Sequence, residues 1–397
     1  MTGKSGHIKR YLRTSFFLAH MKPIQLVDLK TQYHKIKPEV DEAIMGILED
    51  SAFIGGEHVR LFTRELEAYL GVKHVIPCAN GTDALQIALM AIGCKPGDEV
   101  LTPSFTYIAT CEVIGLLGLV PVFVEVDADT FTLDVQDAIS KITSKTKAIV
   151  PVHLYGQCAD MDAITDLAAE HNLYIIEDTA QAIGAKYKSK HSDKPESAGC
   201  IGHIGTTSFF PSKNLGCYGD GGAIMTNDNT LAAKIRMIAN HGQSERYYHD
   251  IIGVNSRLDN IQAAVLRIKL RRLDEYEASR QSVAQFYDKA FKDINEIETP
   301  VSSPSSSHVY HQYTMKLQGI DRTKLQEHLS DLGIPSNIYY PVPAHLQKGY
   351  EEYGYVKGDL QLTESLCEKV LSLPIHTELE NDQLNHIVNS IKDFIKK

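Results

Sequence analysis

Two kinds of hydrophobic pattern alternate along residues 73–226. Short runs rich in β-branched residues predict seven strands, at residues 73–77, 99–102, 121–126, 148–152, 174–177, 207–210 and 223–226. Longer windows with apolar residues three and four positions apart predict helices between them, at residues 83–92, 107–117, 134–142 and 160–171. Because this alternation is typical of crossover units, we expect an α/β fold with a mostly parallel seven-stranded sheet covered on both faces.

The pattern changes after residue 258. An almost unbroken helical pattern runs from residue 259 to about residue 291 and is long enough to link two domains. After a polar loop at residues 302–307, a shorter α+β pattern predicts strands and helices, at residues 309–317, 322–332, 337–340, 362–370 and 382–396. We therefore expect an N-terminal extension (1–21), a large domain (22–258), and a linking helix with a smaller α+β C-terminal domain (259–397).

Composition excludes several classes of protein. Of the 397 residues, 43% are hydrophobic and 23% are charged, which is typical of a globular protein and not of a disordered one. Forty Lys and Arg residues against fifty Asp and Glu residues leave a net charge of −10. Since this field repels a polyanion, we expect no nucleic-acid partner.

The spacing of the cysteines and the lengths of the apolar runs indicate the cellular compartment in which we expect the protein. The seven cysteines form no Cys-x-x-Cys pair, so we expect neither a disulfide framework nor a zinc site, and a reducing cytoplasm fits this usage. The apolar run within residues 1–20 is too short for a signal peptide, and we interpret that segment as an extension ahead of Met21. No later run approaches the roughly 18 apolar residues of a membrane span.

Candidate chemistry follows two of the predicted strands. Asp178 ends a buried strand, where a carboxylate needs a donor or a cation; a helix cap or a structural ion pair would also satisfy it. Lys213 lies in a glycine-rich turn after the strand at 207–210, where burial can make its amine nucleophilic, unless it is an ordinary solvated loop lysine. The nearby glycines precede a strand rather than a helix, so they do not form a dinucleotide fingerprint.

An anion site is predicted where the first strand meets its helix. Gly81 permits close approach, and Thr82 suits the N-cap of a helix whose N–H groups can bind a phosphate; an ordinary capped helix is the alternative. After the next strand, Phe105 and Tyr107 bring aromatic rings to the same edge. Either ring can belong to the core or cover a planar cofactor.

Five ordered motifs now support a resemblance that covers the chain from about Ile24 to its C-terminus. They lie at residues 80–85, 151–157, 177–181, 208–213 and 253–259. In these motifs the chain resembles the DegT/DnrJ/EryC1/StrS family of sugar-nucleotide aminotransferases. The resemblance implies the aspartate-aminotransferase fold (PLP fold type I), pyridoxal 5'-phosphate (PLP) as cofactor, and a homodimer with shared active sites.

The resemblance also implies roles for individual residues. Lys213 matches the lysine that carries the cofactor and shuttles the proton, and Asp178 matches the partner of the pyridine nitrogen. Gln181 matches the contact to the ring hydroxyl, and Tyr107 matches the stacking aromatic. The expected phosphate contacts are Gly81, Thr82, Ser208 and, from the neighbouring subunit, Asn255.

For the substrate, the resemblance implies transfer of an amino group from L-glutamate to C3 of a nucleotide-linked 3-ketosugar. The expected sugar is UDP-2-acetamido-2-deoxy-3-oxo-D-glucuronate, an intermediate of lipopolysaccharide O-antigen biosynthesis. The expected substrate contacts are Phe53, Ser212, Arg257, Tyr339 and Tyr340. Arg257 would act from the neighbouring subunit, since its planar fork suits a carboxylate or a diphosphate, and a surface salt bridge is its alternative role.

Three features depart from the family pattern. Tyr339 stands where a histidine is expected, His203 stands where aspartate is common, and the polar stretch 186–197 is longer than usual. Amination of a dTDP-linked 3-keto-6-deoxyhexose and a non-catalytic, PLP-binding regulatory role are the alternatives. A sugar dehydratase of the same fold would replace the lysine with histidine, whereas Lys213 is present. Four further histidines are expected to be packed rather than catalytic, namely His153, His241, His308 and His311.

Overall fold

The computed structural model describes residues 21–396, so the predicted extension lies almost wholly outside the described residues. The strands are β1 His74–Cys78, β2 Glu99–Pro103, β3 Val120–Val124, β4 Thr146–Ile149, β5 Tyr174–Asp178, β6 Lys186–Tyr187, β7 Glu196–Ser197, β8 Ile204–Ser208, β9 Gly222–Thr226, β10 Gln243–Glu245, β11 Tyr248–His249, β12 Ile297–Glu298, β13 Tyr313–Leu317 and β14 Val370–Leu373. The α-helices are α1 Leu29–Asp50, α2 Glu57–Leu70, α3 Gly81–Ala91, α4 Ala109–Leu116, α5 Val135–Ser140, α6 Met161–His171, α7 Asn229–Ala239, α8 Asn260–Leu270, α9 Leu273–Phe291, α10 Arg322–Asp331, α11 Gln361–Lys369 and α12 Asn381–Ile395.

The central sheet has seven strands in the order β1-β9-β8-β5-β4-β2-β3. The pairs β2–β3, β2–β4, β4–β5 and β5–β8 are parallel, and β9 runs antiparallel to both β8 and β1. The register places Asp178 opposite Thr206, and Ser208 opposite Gly222. The last residues of β5 and β8 therefore meet at one edge of the sheet, where ligands of α/β sheets bind.

Helices cover both faces of this sheet, as a mostly parallel sheet requires. On one face, α3 is apolar nearly all round, and Leu85 and Ala88 pack in a core with Ile114 of α4 and Ile235 of α7. On the other face, α6 packs in a core with β2, β4 and β5. The prediction of an α/β fold with a mostly parallel seven-stranded sheet is confirmed, and the observed strand limits differ from the predicted ones by at most three residues.

A second core lies around the antiparallel sheet β12-β13-β14. Helices α9, α10 and α12 cover it, with Tyr287, Leu325 and Ile387 fully buried among its members. Ile24, from the start of the described chain, packs in the same core. The α+β character predicted for the C-terminal part is thus observed, while the domain limits at 21/22 and 258/259 stay predictions.

Two predictions about elements were wrong. The helical pattern at 259–291 forms two helices, because the chain leaves helical geometry at Arg272, between α8 and α9. Residues 337–340 form no strand; Asn337 makes a single bridge to Ser372, and a cis peptide bond joins Tyr339 to Tyr340. The polar stretch 186–197 is bounded by the paired strands β6 and β7. Within residues 21–396, every helix is too short or too polar to cross a bilayer.

Candidate active site

Asp178 lies at the carboxyl end of β5 and is 6% exposed. Its Oδ2 accepts a hydrogen bond of 2.7 Å from the hydroxyl of Thr110 at the start of α4, and its Oδ1 accepts one of 3.1 Å from the backbone N–H of Ala180. Among the described residues no cation lies within ion-pair distance of this carboxylate, so the structural ion pair considered above is not formed. Since each carboxylate oxygen can accept more than one hydrogen bond, Asp178 retains capacity for a ligand.

Lys213 lies in the turn that follows β8. Its backbone N–H donates to the carbonyl of Phe210 at 2.9 Å, and the turn needs a glycine at Gly216, where a Cβ would stand 2.4 Å from the carbonyl oxygen of Pro211. Burial lowers the pKa of Lys213 to about 8, although the carboxylate of Asp178 acts in the opposite direction. The side chain therefore loses its proton far more easily than a solvated lysine does.

The junction of β1 and α3 forms an anion cradle. Asn80, in extended backbone, is the N-cap, and its Oδ1 accepts the N–H of Asp83 at 2.8 Å; the prediction that Thr82 caps the helix was wrong. The N–H groups of Gly81 and Thr82 have no acceptor among the described residues. A Cβ on Gly81 would lie 2.7 Å from Cβ of Ser208, so the cradle requires glycine there. Two free N–H groups at the positive end of a helix suit a phosphate.

Gln181 joins the site to the C-terminal part of the chain. Its Oε1 accepts the N–H of Tyr155 at 2.7 Å, and its Nε2 donates to the hydroxyl of Tyr340 at 3.0 Å. The amide has a second N–H, which remains available to a ligand. The ring of Tyr107 lies 6.2 Å from that of Tyr340 and is 58% exposed, so one aromatic face is open at this edge.

Segment 253–259 lies against the cradle through Ser256. This buried serine accepts the N–H of Ala79 at 3.0 Å and donates to Oδ2 of Asp83 at 2.6 Å. Its neighbours Asn255 and Arg257 are exposed. Within residues 21–396 Arg257 makes no ion pair, so the surface salt bridge considered for it is not formed.

The remaining predicted substrate residues are more dispersed. Ser212 precedes Lys213 and is partly exposed, and Tyr339 accepts the hydroxyl of Tyr155 at its backbone carbonyl. Phe53 is 44% exposed, and its carbonyl accepts the N–H of Asn260 at the start of α8. No hydrogen bond joins these described side chains to Asp178 or Lys213.

His203 lies away from this site. With Tyr174 and Asp228, it lines a cavity of about 740 Å³ at the start of β5 and β8, the edge of the sheet opposite Asp178. Its Nδ1 accepts the N–H of Ile175 at 3.0 Å, so it helps to hold the start of β5. The departure at position 203 therefore leaves the residues around Asp178 and Lys213 unchanged.

Two residues of the site were missed by the sequence analysis, namely Glu177 and Thr110, which holds Asp178. His311, which was expected to be packed, is buried and contacts Asn214, the residue after Lys213. Glu177 is fully buried beside Asp178 and accepts four hydrogen bonds, from Nε2 of His153 and from the backbone N–H groups of Gly199, Ile201 and Gly202. Only Glu177 carried a signal in the sequence, since a second acidic residue in a buried strand needs donors.

The chemistry of these groups fits PLP. The cradle offers free N–H groups to a phosphate and would be filled by any side chain at Gly81. A buried carboxylate and a lysine with a pKa of about 8 stand at the same edge of the sheet. The carboxylate can hold a proton on the pyridine nitrogen of PLP, and the amine can bond to its aldehyde carbon.

Comparison with known proteins agrees with this fit. A model of the DegT/DnrJ/EryC1/StrS aminotransferase family matches residues 34–392. The UDP-2-acetamido-2-deoxy-3-oxo-D-glucuronate aminotransferase of Pseudomonas aeruginosa is 45% identical over 364 residues, which cover 92% of this chain and 98% of that protein. A "pleiotropic regulatory protein" of Geobacillus stearothermophilus is 43% identical over 378 residues, covering 94% and 99%. The dTDP-3-amino-3,4,6-trideoxy-alpha-D-glucose transaminase of Streptomyces venezuelae is 39% identical over 374 residues, covering 94% and 97%.

Solved structures agree as well. The crystal structure of S. venezuelae DesV with a ketimine intermediate superposes with a TM-score of 0.90 at 39% identity, covering 95% of this chain and all of that one. The Bacillus subtilis NtdA structure with bound cofactor PMP superposes with a TM-score of 0.85 at 30% identity, covering 94% of this chain and 83% of that one. The chain therefore belongs to the DegT/DnrJ/EryC1/StrS aminotransferase family and is a PLP-dependent sugar-nucleotide aminotransferase with the fold of that family.

Proposed function

We propose that this 3-keto sugar aminotransferase takes the amino group of L-glutamate and transfers it to C3 of UDP-2-acetamido-2-deoxy-3-oxo-D-glucuronate, for lipopolysaccharide O-antigen synthesis in the cytoplasm. The observation that carries the choice of sugar is the 45% identity to a protein named for this substrate. The exposed guanidinium of Arg257 supports it, since it has no ion-pair partner among residues 21–396 and can bind the C6 carboxylate of the sugar at two points.

PLP, when bound, supplies an electron sink and carries the amino group between donor and acceptor. The carboxylate of Asp178 would hold a proton on the ring nitrogen, and Thr110 would keep that carboxylate in position. The N–H groups of Gly81 and Thr82 would bind the phosphate, together with the hydroxyl of Ser208.

The remaining steps in this proposal belong to three side chains. Nζ of Lys213 would hold the cofactor covalently and, once the incoming amine has released it, would take the proton from the donor carbon and give it back to the cofactor. The second N–H of Gln181 would donate to the ring hydroxyl, and the ring of Tyr107 would cover one face of the cofactor and exclude water from it.

We place Asn255 and Arg257 in the active site of a second copy of the chain. Both are exposed and lie beside apolar surface that a partner would cover, such as Ile252, which is 87% exposed. Mixing Lys213→Ala and Arg257→Ala proteins under subunit exchange should restore part of the activity, because one hybrid site regains both groups. If exchange is verified and no activity returns, the shared site is refuted.

The second candidate substrate is a dTDP-linked 3-keto-6-deoxyhexose, which the S. venezuelae relative favours by its name. A regulatory role would match the name of the G. stearothermophilus relative. Retention of both Lys213 and Asp178 argues against a role without turnover, because these groups serve chemistry more than packing.

The test is to load the enzyme with glutamate and follow loss of the pyridoxamine form against UDP- and dTDP-linked 3-ketosugars, with and without a C6 carboxylate. A desolvated ion pair with Arg257 contributes about 1.5–3 kcal/mol, so the carboxylate should raise the rate roughly 10 to 150-fold. The Arg257→Gln variant is the control, in which this preference should vanish. Faster amination of the dTDP-linked 6-deoxy sugar would refute the proposed substrate.

A further inference from the structure

A serine, a histidine and a glutamate form a chain of hydrogen bonds beside the residues described so far. Oγ of Ser104, which follows β2, lies 2.7 Å from Nδ1 of His345, and Nε2 of His345 lies 3.3 Å from Oε1 of Glu364 on α11. Hydrolases use the same order of groups, with the serine as nucleophile. Ser104 is 0% exposed, so no substrate can reach its hydroxyl, and the chain of hydrogen bonds must serve another purpose.

The hydrogen bonds at the two ends of the imidazole require the same tautomer. Oγ of Ser104 already accepts the backbone N–H of His345 at 3.1 Å, so its own hydrogen is free to point at Nδ1. At the other end, Oε1 of Glu364 also accepts the N–H of Gly358 at 2.7 Å. Burial acts against ionisation of Glu364, but the hydrogen bonds from Gly358 and His345 lower the pKa of its carboxyl. A carboxylate only accepts, so Nε2 carries the hydrogen and Nδ1 accepts from Ser104.

Ser104 joins two segments that are distant in the sequence. Besides the contacts of its hydroxyl, its carbonyl accepts the N–H of Ala344 at 2.9 Å, and its own N–H donates to the carbonyl of Val124 in β3 at 3.1 Å. Three hydrogen bonds therefore connect this single residue to Ala344 and His345, and a fourth connects it to the large sheet. The end of β2 is thus docked on the C-terminal part of the chain.

Each of the two segments carries an aromatic residue of the candidate site. Tyr107 follows Ser104 by three positions, and Tyr340 precedes Ala344 by four. Two of the three residues between Tyr340 and Ala344 are prolines, and since proline fixes φ, this connection is stiff. The rings of Tyr107 and Tyr340 are 6.2 Å apart. The junction at Ser104 therefore fixes where these two rings stand relative to each other.

The imidazole of His345 is itself held in place. Its partner Glu364 lies on α11, and the start of that helix is bonded to the large sheet, because Oε2 of Glu125 accepts both the N–H and the hydroxyl of Thr363 at 2.9 Å. His345 is 1% exposed, and two aromatic rings have their centroids 6.1 and 6.3 Å from that of the imidazole. Burial lowers the pKa of His345, although Glu364 acts in the opposite direction, so Nδ1 stays an acceptor at neutral pH. The position of the imidazole thus determines that of Ser104.

We propose that His345 is a positioning residue: by accepting the hydroxyl of Ser104, it holds the loop of Tyr107 against the segment of Tyr340 and so keeps both rings at the cofactor site. Without this hydrogen bond the two segments separate more often, and a cofactor that is not covalently bound escapes through the opening. The inference rests on the covering role proposed for Tyr107, but not on the identity of the sugar.

The experiment uses the enzyme with bound pyridoxamine phosphate, which has no covalent bond to Lys213. Hydrogen–deuterium exchange measures the protection of the N–H groups of Ser104 and Ala344, and the fluorescence change after rapid dilution measures the rate of cofactor release. Ser104→Ala and His345→Gln each remove the hydrogen bond to Nδ1, so protection should fall about tenfold and release should accelerate about tenfold. The double variant should change no further, because both substitutions remove the same bond.

His345→Asn separates the hydrogen bond from the packing of the ring. Asparagine is smaller than glutamine but places its carbonyl oxygen where Nδ1 lies, so both measurements should stay within about threefold of wild type. Packing alone would make glutamine the milder change. Thr226→Val is the control, since it removes a buried hydroxyl that donates to the carbonyl of His203 at 2.8 Å, at the opposite edge of the sheet, and it should leave both measurements unchanged.

Two results would overturn the proposal. One is an equal effect of His345→Asn and His345→Gln on amide protection. The other is unchanged cofactor release in Ser104→Ala when Tyr107→Ala accelerates release. If Tyr107→Ala itself leaves release unchanged, the covering role in the proposed function is refuted, and the exchange data still decide whether His345 holds Ser104.

Discussion

Replacing Lys213 with methionine should stabilise the cofactor-free protein at neutral pH. In the folded chain, burial lowers the pKa of this lysine from 10.5 to about 8. Between these values the unfolded chain binds more protons, so stability rises with pH there and the cost of the buried ammonium is fully present below pH 8. A difference of 2.5 units corresponds to about 3 kcal/mol at pH 7, since one unit is about 1.4 kcal/mol. At pH 9.5 only about 1.4 kcal/mol of this cost remains.

The assay is denaturant unfolding of wild-type and Lys213→Met proteins at pH 7 and pH 9.5, without cofactor and at one fixed protein concentration. Methionine packing contributes equally at both pH values, so the pH dependence isolates the effect of the charge. The difference in the free energy of unfolding between the two proteins should be about 2 kcal/mol smaller at pH 9.5 than at pH 7. Lys188→Met, at an exposed position, is the control and should show no such change. A difference independent of pH would refute the claim that Lys213 is desolvated.

Three further outcomes are expected. Asp178→Asn should bind PLP but slow the half-reaction with glutamate at least about 100-fold in stopped-flow absorbance, because an amide cannot hold the proton on the ring nitrogen; near-normal rates would remove Asp178 from this role. Gly81→Ala should weaken PLP binding at least about tenfold in a fluorescence titration, since its Cβ would stand 2.7 Å from Cβ of Ser208, whereas Gly46→Ala, with open space around it, should bind normally. Glu177→Gln should lower the free energy of unfolding by about 3 kcal/mol, because each carboxylate oxygen accepts from two donors and an amide nitrogen in place of either oxygen would face two of the four donors; a loss below about 1 kcal/mol would contradict this.

The central sheet could be predicted because its strands are buried on both faces, which makes their sequences short continuous apolar runs. The break between α8 and α9 could not, since it has no glycine or proline to signal it. Leu270 and Leu273 are both buried, three positions apart on either side of Arg271 and Arg272, and a core of distant residues holds them there. Tertiary packing, which a local pattern does not contain, decides that boundary.

In the site, too, residues placed by the strand topology could be predicted, whereas residues brought in by distant parts of the chain could not. Asp178 and Lys213 follow strands, so the topology alone brings them to one edge of the sheet. Thr110 reaches Asp178 across 68 residues of chain, and His311 reaches Asn214, the neighbour of Lys213, across 97; neither residue type marks a site by itself. The helix cap was misassigned because Asn80 and Thr82 are both capping residues; the extended backbone of Asn80, which continues β1, makes it the cap.

The two ionisable groups at this edge differ in what surrounds them, and that difference defines their chemistry. Asp178 accepts hydrogen bonds from Thr110 and Ala180, which hold its carboxylate in position. Desolvation lowers the pKa of Lys213 to about 8, so its ammonium loses a proton more easily than that of a solvated lysine. One group is held in position by hydrogen bonds and the other loses its proton readily, so the anchoring of a cofactor and proton transfer fall to different side chains. Asn214 follows Lys213, donates a hydrogen bond to the carbonyl of Val309 and contacts His311. It therefore links the turn that carries Lys213 to the C-terminal part of the chain.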